Sequence, residues 1–266
     1  MESNMNTFVC IKRVPDTSEA EVKVDASGKD VDSSKFSFDI NDADNYAVEE
    51  AVLIKEAKGG TAKVICAGPQ DADVMIRMAL AKGCDSAVRI DDPRINVLDP
   101  LQVAKVLAAA IKSQEFDLVL TGCMANDDGA MAVGVALAEE LGVPHAAMVK
   151  KVEVEDGKIK VQRELEGGIG EVVELALPAV VTIQTGINEP RYAPIRGIRQ
   201  AQKKELKVVT IDDLGLDENE VNEAGSLIEL QKLYIPEVVS NAEIIEGEPE
   251  EKAEIMATKL VKGGLL

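Results

Sequence analysis

Residues Asp117–Gly142, DLVLTGCMANDDGAMAVGVALAEELG, decide the fold. Asp117–Thr121 is a short apolar run, the pattern of a strand buried on both faces. Asp128–Leu141 reads as a helix that closes at Gly142, a residue suited to a helix C-cap. Between them lies a strand-to-helix loop, so the stretch is half of a βαβ unit. The same rhythm runs outward toward the N-terminus. Strands are predicted at Thr7–Val14, Lys63–Ala67 and Ala87–Ile90. Helices are predicted at Asp44–Lys58, at Asp71–Lys82 before Gly83, and at Pro100–Lys112 behind the N-cap residue Asp99. Short strands alternating with helices of about a dozen residues make a parallel sheet.

After Pro144 the pattern changes. Met148–Val154, Lys158–Glu164 and Glu171–Ala176 alternate with period two, and Asp156-Gly157 supplies a hairpin turn. Pro178–Ile183 returns to a continuous apolar run. The fold class is therefore α/β: a mostly parallel, doubly wound sheet with antiparallel strands added at one edge and an extended C-terminal arm. Beyond Gly186 the chain reads as irregular. Residues 1–210 are expected to form the α/β domain, with a basic loop over 188–204, and residues 211–266 an acidic arm. From Asp212 to Glu254 there are 14 acidic residues against two lysines, whereas Glu189–Lys207 carries six basic residues against two acids. A final helix is predicted over Glu250–Lys262.

Composition excludes several functions. The 266 residues carry 29 basic and 48 acidic side chains, a formal charge of -19, which opposes binding of a nucleic-acid backbone over a broad face. No apolar run reaches the roughly 18–20 residues that span a bilayer, and the start of the chain, with acidic Glu2, does not read as a signal peptide. A cytoplasmic protein is expected. Cys10, Cys66, Cys84 and Cys123 lack CxxC spacing and read as small buried hydrophobes. With His145 the one histidine, neither a zinc site nor a catalytic triad is expected. Aromatic residues make up 3% of the chain, leaving little on which to stack a flavin or nicotinamide held by this chain alone. Walker A, GxGxxG, HExxH and GxSxG patterns are absent. A binding or carrier role fits better than self-contained catalysis.

In open α/β sheets ligands lie at the carboxyl ends of strands. The richest such end is Thr121-Gly122-Cys123-Met124-Ala125-Asn126-Asp127-Asp128-Gly129-Ala130. Gly122 permits close approach, and the helix N-terminus beyond offers amides to a phosphate. Asp127 and Asp128 would repel a phosphate, so at least one of them caps the helix or accepts from a ribose hydroxyl. As a general acid/base or metal site the pairs Asp91-Asp92, Asp127-Asp128 and Asp212-Asp213 carry little, and they read as solvated turns. Met75 and Met78 read as core packing.

Val9-Cys10-Ile11-Lys12-Arg13-Val14 and Ala47-Val48-Glu49-Glu50-Ala51 resemble the start of electron-transfer flavoprotein β subunits. The similarity continues through Gly122–Gly134, Arg163–Gly168 and Leu177–Thr182, and is most specific at Asn188-Glu189-Pro190-Arg191-Tyr192-Ala193. The resemblance implies a heterodimer whose α subunit holds most of an FAD. It places a nucleotide pocket on Cys10, Asn41, Asp44, Ala67 and the loop from Gly122 through Met131, Ala132 and Val133. AMP is the expected occupant. The alternative is a second FAD, with NADH, as in the electron-bifurcating branch, which Val14–Thr17 (VPDT) resembles.

The resemblance also maps a partner-recognition loop onto Asn188–Lys204, anchored by Ile195. Arg191, Arg196 and Arg199 would steer an acidic flavoprotein dehydrogenase. Glu164 falls near the subunit interface and the flavin, with Arg163 as its expected charge partner. The implied function is an electron carrier, without a substrate of its own, that passes electrons to a membrane quinone oxidoreductase or another acceptor. A stand-alone adenine-nucleotide-binding module is the remaining alternative.

Overall fold

The computed structural model describes residues 4–18, 21–237, 240 and 242–265; the first residues, including Glu2, lie outside that range. In chain order the first half contains β1 (Met5–Cys10), β2 (Arg13–Asp16), β3 (Ser37–Ile40), α1 (Asp42–Lys58), β4 (Gly60–Ala67), α2 (Asp73–Lys82), β5 (Ser86–Ile90), α3 (Pro100–Lys112), β6 (Leu118–Gly122) and α4 (Val133–Leu141). There follow β7 (His145–Glu155), β8 (Lys158–Glu164), β9 (Gly170–Ala176), β10 (Ala179–Ile183), α5 (Ile195–Ala201), β11 (Leu206–Val209) and α6 (Pro249–Lys262).

Nine strands form one sheet in the order β11-β5-β4-β1-β6-β10-β7-β8-β9. From β11 to β7 neighbours run parallel, and β8 and β9 extend the sheet as antiparallel strands. The central strands bury both faces, as the apolar runs require. Val9 of β1 joins Val48, Ala51, Ile76 and Leu80 of α1 and α2 in one core layer. Its neighbours Phe8 and Cys10 point the other way, into a layer with Leu107 and Ile111 of α3 and Leu137 of α4. The period-two alternation of a strand thus divides the core between two helical layers.

Several expectations change. The strand predicted over Thr7–Val14 ends at Cys10, and the chain turns into a separate two-stranded ribbon of β2 and β3. The helix predicted from Asp128 starts only at Val133, because Gly129 and Met131 adopt positive φ of 64° and 51°. The segment after Gly186 is not irregular throughout: it contains α5, and β11 adds a parallel strand beyond β5. Met75 is buried but Met78 is exposed, since it lies on the outer stripe of α2 with Val74.

The acidic segment begins as part of the main body. Ile211 and Val221 are fully buried, and Arg94 bridges Asp92 and Asp212 at 2.7 and 2.8 Å. Asp92 is no solvated turn residue; hydrogen bonds from Arg94 hold its carboxyl down at about 2. The compact unit therefore extends to Lys232 rather than ending at residue 210, and a second unit begins at Leu233. That second unit contains α6, which has Pro249 in its first turn and a capping box between Glu248 and Glu251. Among the described residues no helix is long and apolar enough to cross a membrane.

Candidate functional site

Strand order determines where a ligand can sit. The chain runs from β1 outward through β4 and β5, then returns to place β6 on the other side of β1. Helices α1 and α2 cover one face and α3 and α4 the other. A crevice therefore opens beyond the carboxyl ends of β1 and β6. It holds a cavity of about 110 Å³ that opens to solvent.

Cys10, Asn41, Asp44, Ala67, Gly122, Cys123, Met124, Ala125, Asp128, Ala130, Met131 and Val133 all line this cleft. Asn126, Asp127, Gly129 and Ala132 belong to the same loop without lining it. Sequence reasoning missed Lys12 and an apolar wall of Val97, Pro100, Val103 and Leu107 from α3 and its approach. The wall was findable in principle: the Asp99 N-cap fixes which end of α3 faces the strand ends. That carboxylate accepts from the amides of Leu101 and Gln102 at 2.9 and 3.5 Å.

Asn41 and Asp44 act on the protein's own backbone. Asn41 precedes α1 without capping it. Its Nδ2 donates to the Met124 carbonyl at 2.8 Å, and its Oδ1 accepts from the Asn126 amide at 2.9 Å. The Asp44 carboxylate accepts from the amides of Lys12 at 2.7 Å and Gly122 at 2.9 Å. Burial pushes this carboxyl up to about 7, against the opposing pull of those amides. Gly122 is required here, because a Cβ would run into the Asp44 carboxylate and the backbone at Ala43.

The adjacent acids do not cap α4. Lys12 Nζ lies 2.7 Å from Asp127 Oδ1 and 2.7 Å from Asp128 Oδ2. Burial alone would lower the Lys12 ammonium, but the two carboxylates raise it above its usual range. Burial likewise works against Asp128, yet bonds from Lys12 and the Ala130 amide hold it below the usual carboxylate value. The N-terminus of α4 has no side-chain cap, so its first-turn amides are left without a side-chain acceptor. Gly134 lets that turn sit close to Thr121 and Thr182, either of which a Cβ would meet at 2.5 Å. The cysteines of the cleft and core are buried free thiols: burial pushes Cys66 up to about 12 and raises Cys10 and Cys123 as well.

The segment expected to be a recognition loop divides into an inward-facing part and an exposed part. Arg191 faces inward: it donates to Glu49 through Nε and Nη2 at 3.0 and 2.8 Å, and to Glu56 through Nη1 at 2.7 Å. Asn188 Nδ2 donates to the Tyr46 carbonyl and to Glu50. Both residues fasten the segment to α1. Ile195 instead opens α5 with 74% of its surface exposed, beside the almost fully exposed Tyr192, and Arg196 and Arg199 are exposed on the same helix. Gly197 allows α5 to approach the Ala81 carbonyl of α2, and Arg77 donates to the carbonyls of Ala201 and Lys204 at 2.7 Å. A side chain as exposed as Ile195 contributes little to its own core.

Glu164 pairs with Lys150, not with Arg163, which lies 3.6 Å from Glu171. Neighbours along a strand point to opposite faces, so Arg163 and Glu164 cannot meet.

A family model described as "Electron transfer flavoprotein domain" matches residues 32–214. The chain is 38% identical over 253 residues to the protein named electron transfer flavoprotein subunit beta of Methylophilus methylotrophus, spanning 94% of this chain and 95% of that protein. To the protein of the same name in Bacillus subtilis (strain 168) it is 36% identical over 257 residues, spanning 96% and 97%. To that of Bos taurus it is 41% identical over 221 residues, spanning 81% and 85%. The motif positions, the strand order and these matches agree, and the chain belongs to the electron transfer flavoprotein β-subunit family.

Proposed function

We propose that this chain is the β subunit of a heterodimeric electron transfer flavoprotein, a carrier rather than an enzyme with its own substrate. In this reading AMP sits in the cleft in a structural role, and the α subunit holds most of the FAD. The observation that carries the nucleotide part is the pairing of an apolar wall with an uncapped helix N-terminus in one crevice. The residues fit the group. Pro100, Val103 and Leu107 would hold the face of an adenine, and the amides at the start of α4 would hold a single phosphate. FAD supplies the reversible one- and two-electron chemistry when bound.

The chain's own residues then build a platform. Asn41 and Asp44 fix the loop between β6 and α4, and Arg191 fastens the docking segment to α1. Tyr192 and Ile195 offer an apolar anchor with Arg196 and Arg199 beside it, a surface suited to brief, electrostatically guided docking of a flavoprotein dehydrogenase. The final acceptor is a quinone oxidoreductase at a membrane or another redox protein. The arm from Leu233 onward, with Tyr234, Ile235 and Ile244 exposed, suits packing on the α subunit.

Co-expression with the α subunit tests this reading. A coeluting yellow heterodimer, with no flavin on the β chain alone, is expected. A monodisperse β chain that ignores the α subunit would contradict it and favour a stand-alone nucleotide-binding module.

A further inference from the structure

We propose that Lys12, Asp127 and Asp128 form a clasp at the mouth of the cleft that accepts a nucleotide ending at one phosphate and turns away one whose phosphate chain continues. The inference rests on the adenine-nucleotide reading of the cleft and adds the residues that choose between nucleotides. It also bears on AMP against a second FAD, because FAD carries a pyrophosphate.

The position of the three groups comes first. Their side chains are 36, 28 and 38% exposed, whereas Cys10 and Asp44 behind them are 6 and 7% exposed. The clasp therefore lies on the solvent side of the crevice, with Cys10 and Asp44 deeper inside. It joins the segment after β1 to the loop after β6, the two strand ends that flank the crevice.

The clasp is held from both sides. The Lys12 amide is fixed by Asp44 at 2.7 Å. The far loop is fixed by Asn41 through Met124 and Asn126. Within the loop, Asp127 Oδ1 accepts from the Asp128 amide and Asp128 Oδ1 from the Ala130 amide, each at 2.9 Å. The carboxylates are thus oriented by backbone bonds as well as by the ammonium.

Charge then decides the selectivity. One ammonium shared by two carboxylates leaves the mouth net negative. A first phosphate would meet the amides of α4, and a second phosphate directed outward would meet the two carboxylates that already share Lys12. In a partly screened site that repulsion is expected to cost about tenfold or more in affinity.

The test uses the full chain in its complex with the α subunit, freed of bound nucleotide and titrated with AMP and with ADP. Wild type is expected to prefer AMP by about tenfold or more. In the Asp127→Asn/Asp128→Asn variant the preference should narrow by about threefold or more. In Lys12→Met, where two carboxylates lack their cation, it should widen. Raising salt from about 0.05 to about 0.5 M should narrow the wild-type preference without any substitution. Equal affinity of wild type for AMP and ADP overturns the clasp, as does a preference unmoved by the variants and by salt. Binding of neither nucleotide overturns both the clasp and the adenine-nucleotide reading beneath it.

Discussion

The Asp44 carboxylate accepts a hydrogen bond from the Gly122 amide at 2.9 Å, across the point where the strand order of the sheet reverses. Through its other oxygen it accepts from the Lys12 amide, so one buried side chain of α1 holds the ends of β1 and β6 together. Adding a methyl group at residue 122 drives a Cβ into that carboxylate. Gly122→Ala should destabilise the chain by about 2–4 kcal/mol through overpacking and the disturbed bond. Urea unfolding measures this, and an unchanged midpoint would contradict the packing described here.

Asp44 also gives stability a pH dependence of known sign. Its carboxyl is raised to about 7 in the folded chain from an ordinary value of 3.8. The folded state therefore binds the proton more tightly than the unfolded state, and this contribution is fully present below about pH 4. It is lost as pH rises through about 7. Relative to Asp44→Asn, wild type should lose stability between about pH 4 and pH 7 and then run parallel. Unfolding curves for both proteins across this range provide the check; a difference independent of pH would show that Asp44 is not raised.

Arg191 tests whether the docking segment is fastened to α1. Its removal leaves the Glu49 side chain, 5% exposed, without its cation. Arg191→Ala should cost about 2 kcal/mol, below the roughly 3–5 of a fully buried pair because the guanidinium is partly exposed. Arg191→Lys should restore less than half, since an ammonium cannot reproduce the fork that spans Glu49 and Glu56. Amide exchange over residues 188–194 should quicken in both variants. Full protection in Arg191→Ala would contradict the assignment.

Ile195 tests the docking surface. Because its side chain is exposed, Ile195→Ala should leave stability within about 0.5 kcal/mol of wild type. Electron transfer from the donating dehydrogenase should slow by about tenfold, as for loss of an interface anchor, while flavin content stays intact. Unchanged stopped-flow reduction kinetics would remove Ile195 from the interface.

Much of the fold was legible because the burial of each element is written in its own residues. The Asp99-Pro100 start of α3 was readable to the residue, since capping is local chemistry. Long-range features were not. The delayed start of α4 comes with an ion pair from Lys12, more than a hundred positions away. β11 has only four residues and gains its place by pairing with β5. Asn41 and Asp44 line the cleft, but their bonds to distant backbone, which make them supports for the loop, could not be read from neighbours in sequence. Arg191 looked like a surface cation in a basic stretch; only the fold brings Glu49 and Glu56 to it.

In the proposed reading, the crevice between β1 and β6 holds a nucleotide with one phosphate in a chain that shares FAD with its α subunit. Acid release and chromatography of the purified heterodimer count those groups directly. One AMP and one FAD per heterodimer is the predicted result. Two FAD and no AMP would contradict it and make the crevice a second flavin site of the bifurcating kind.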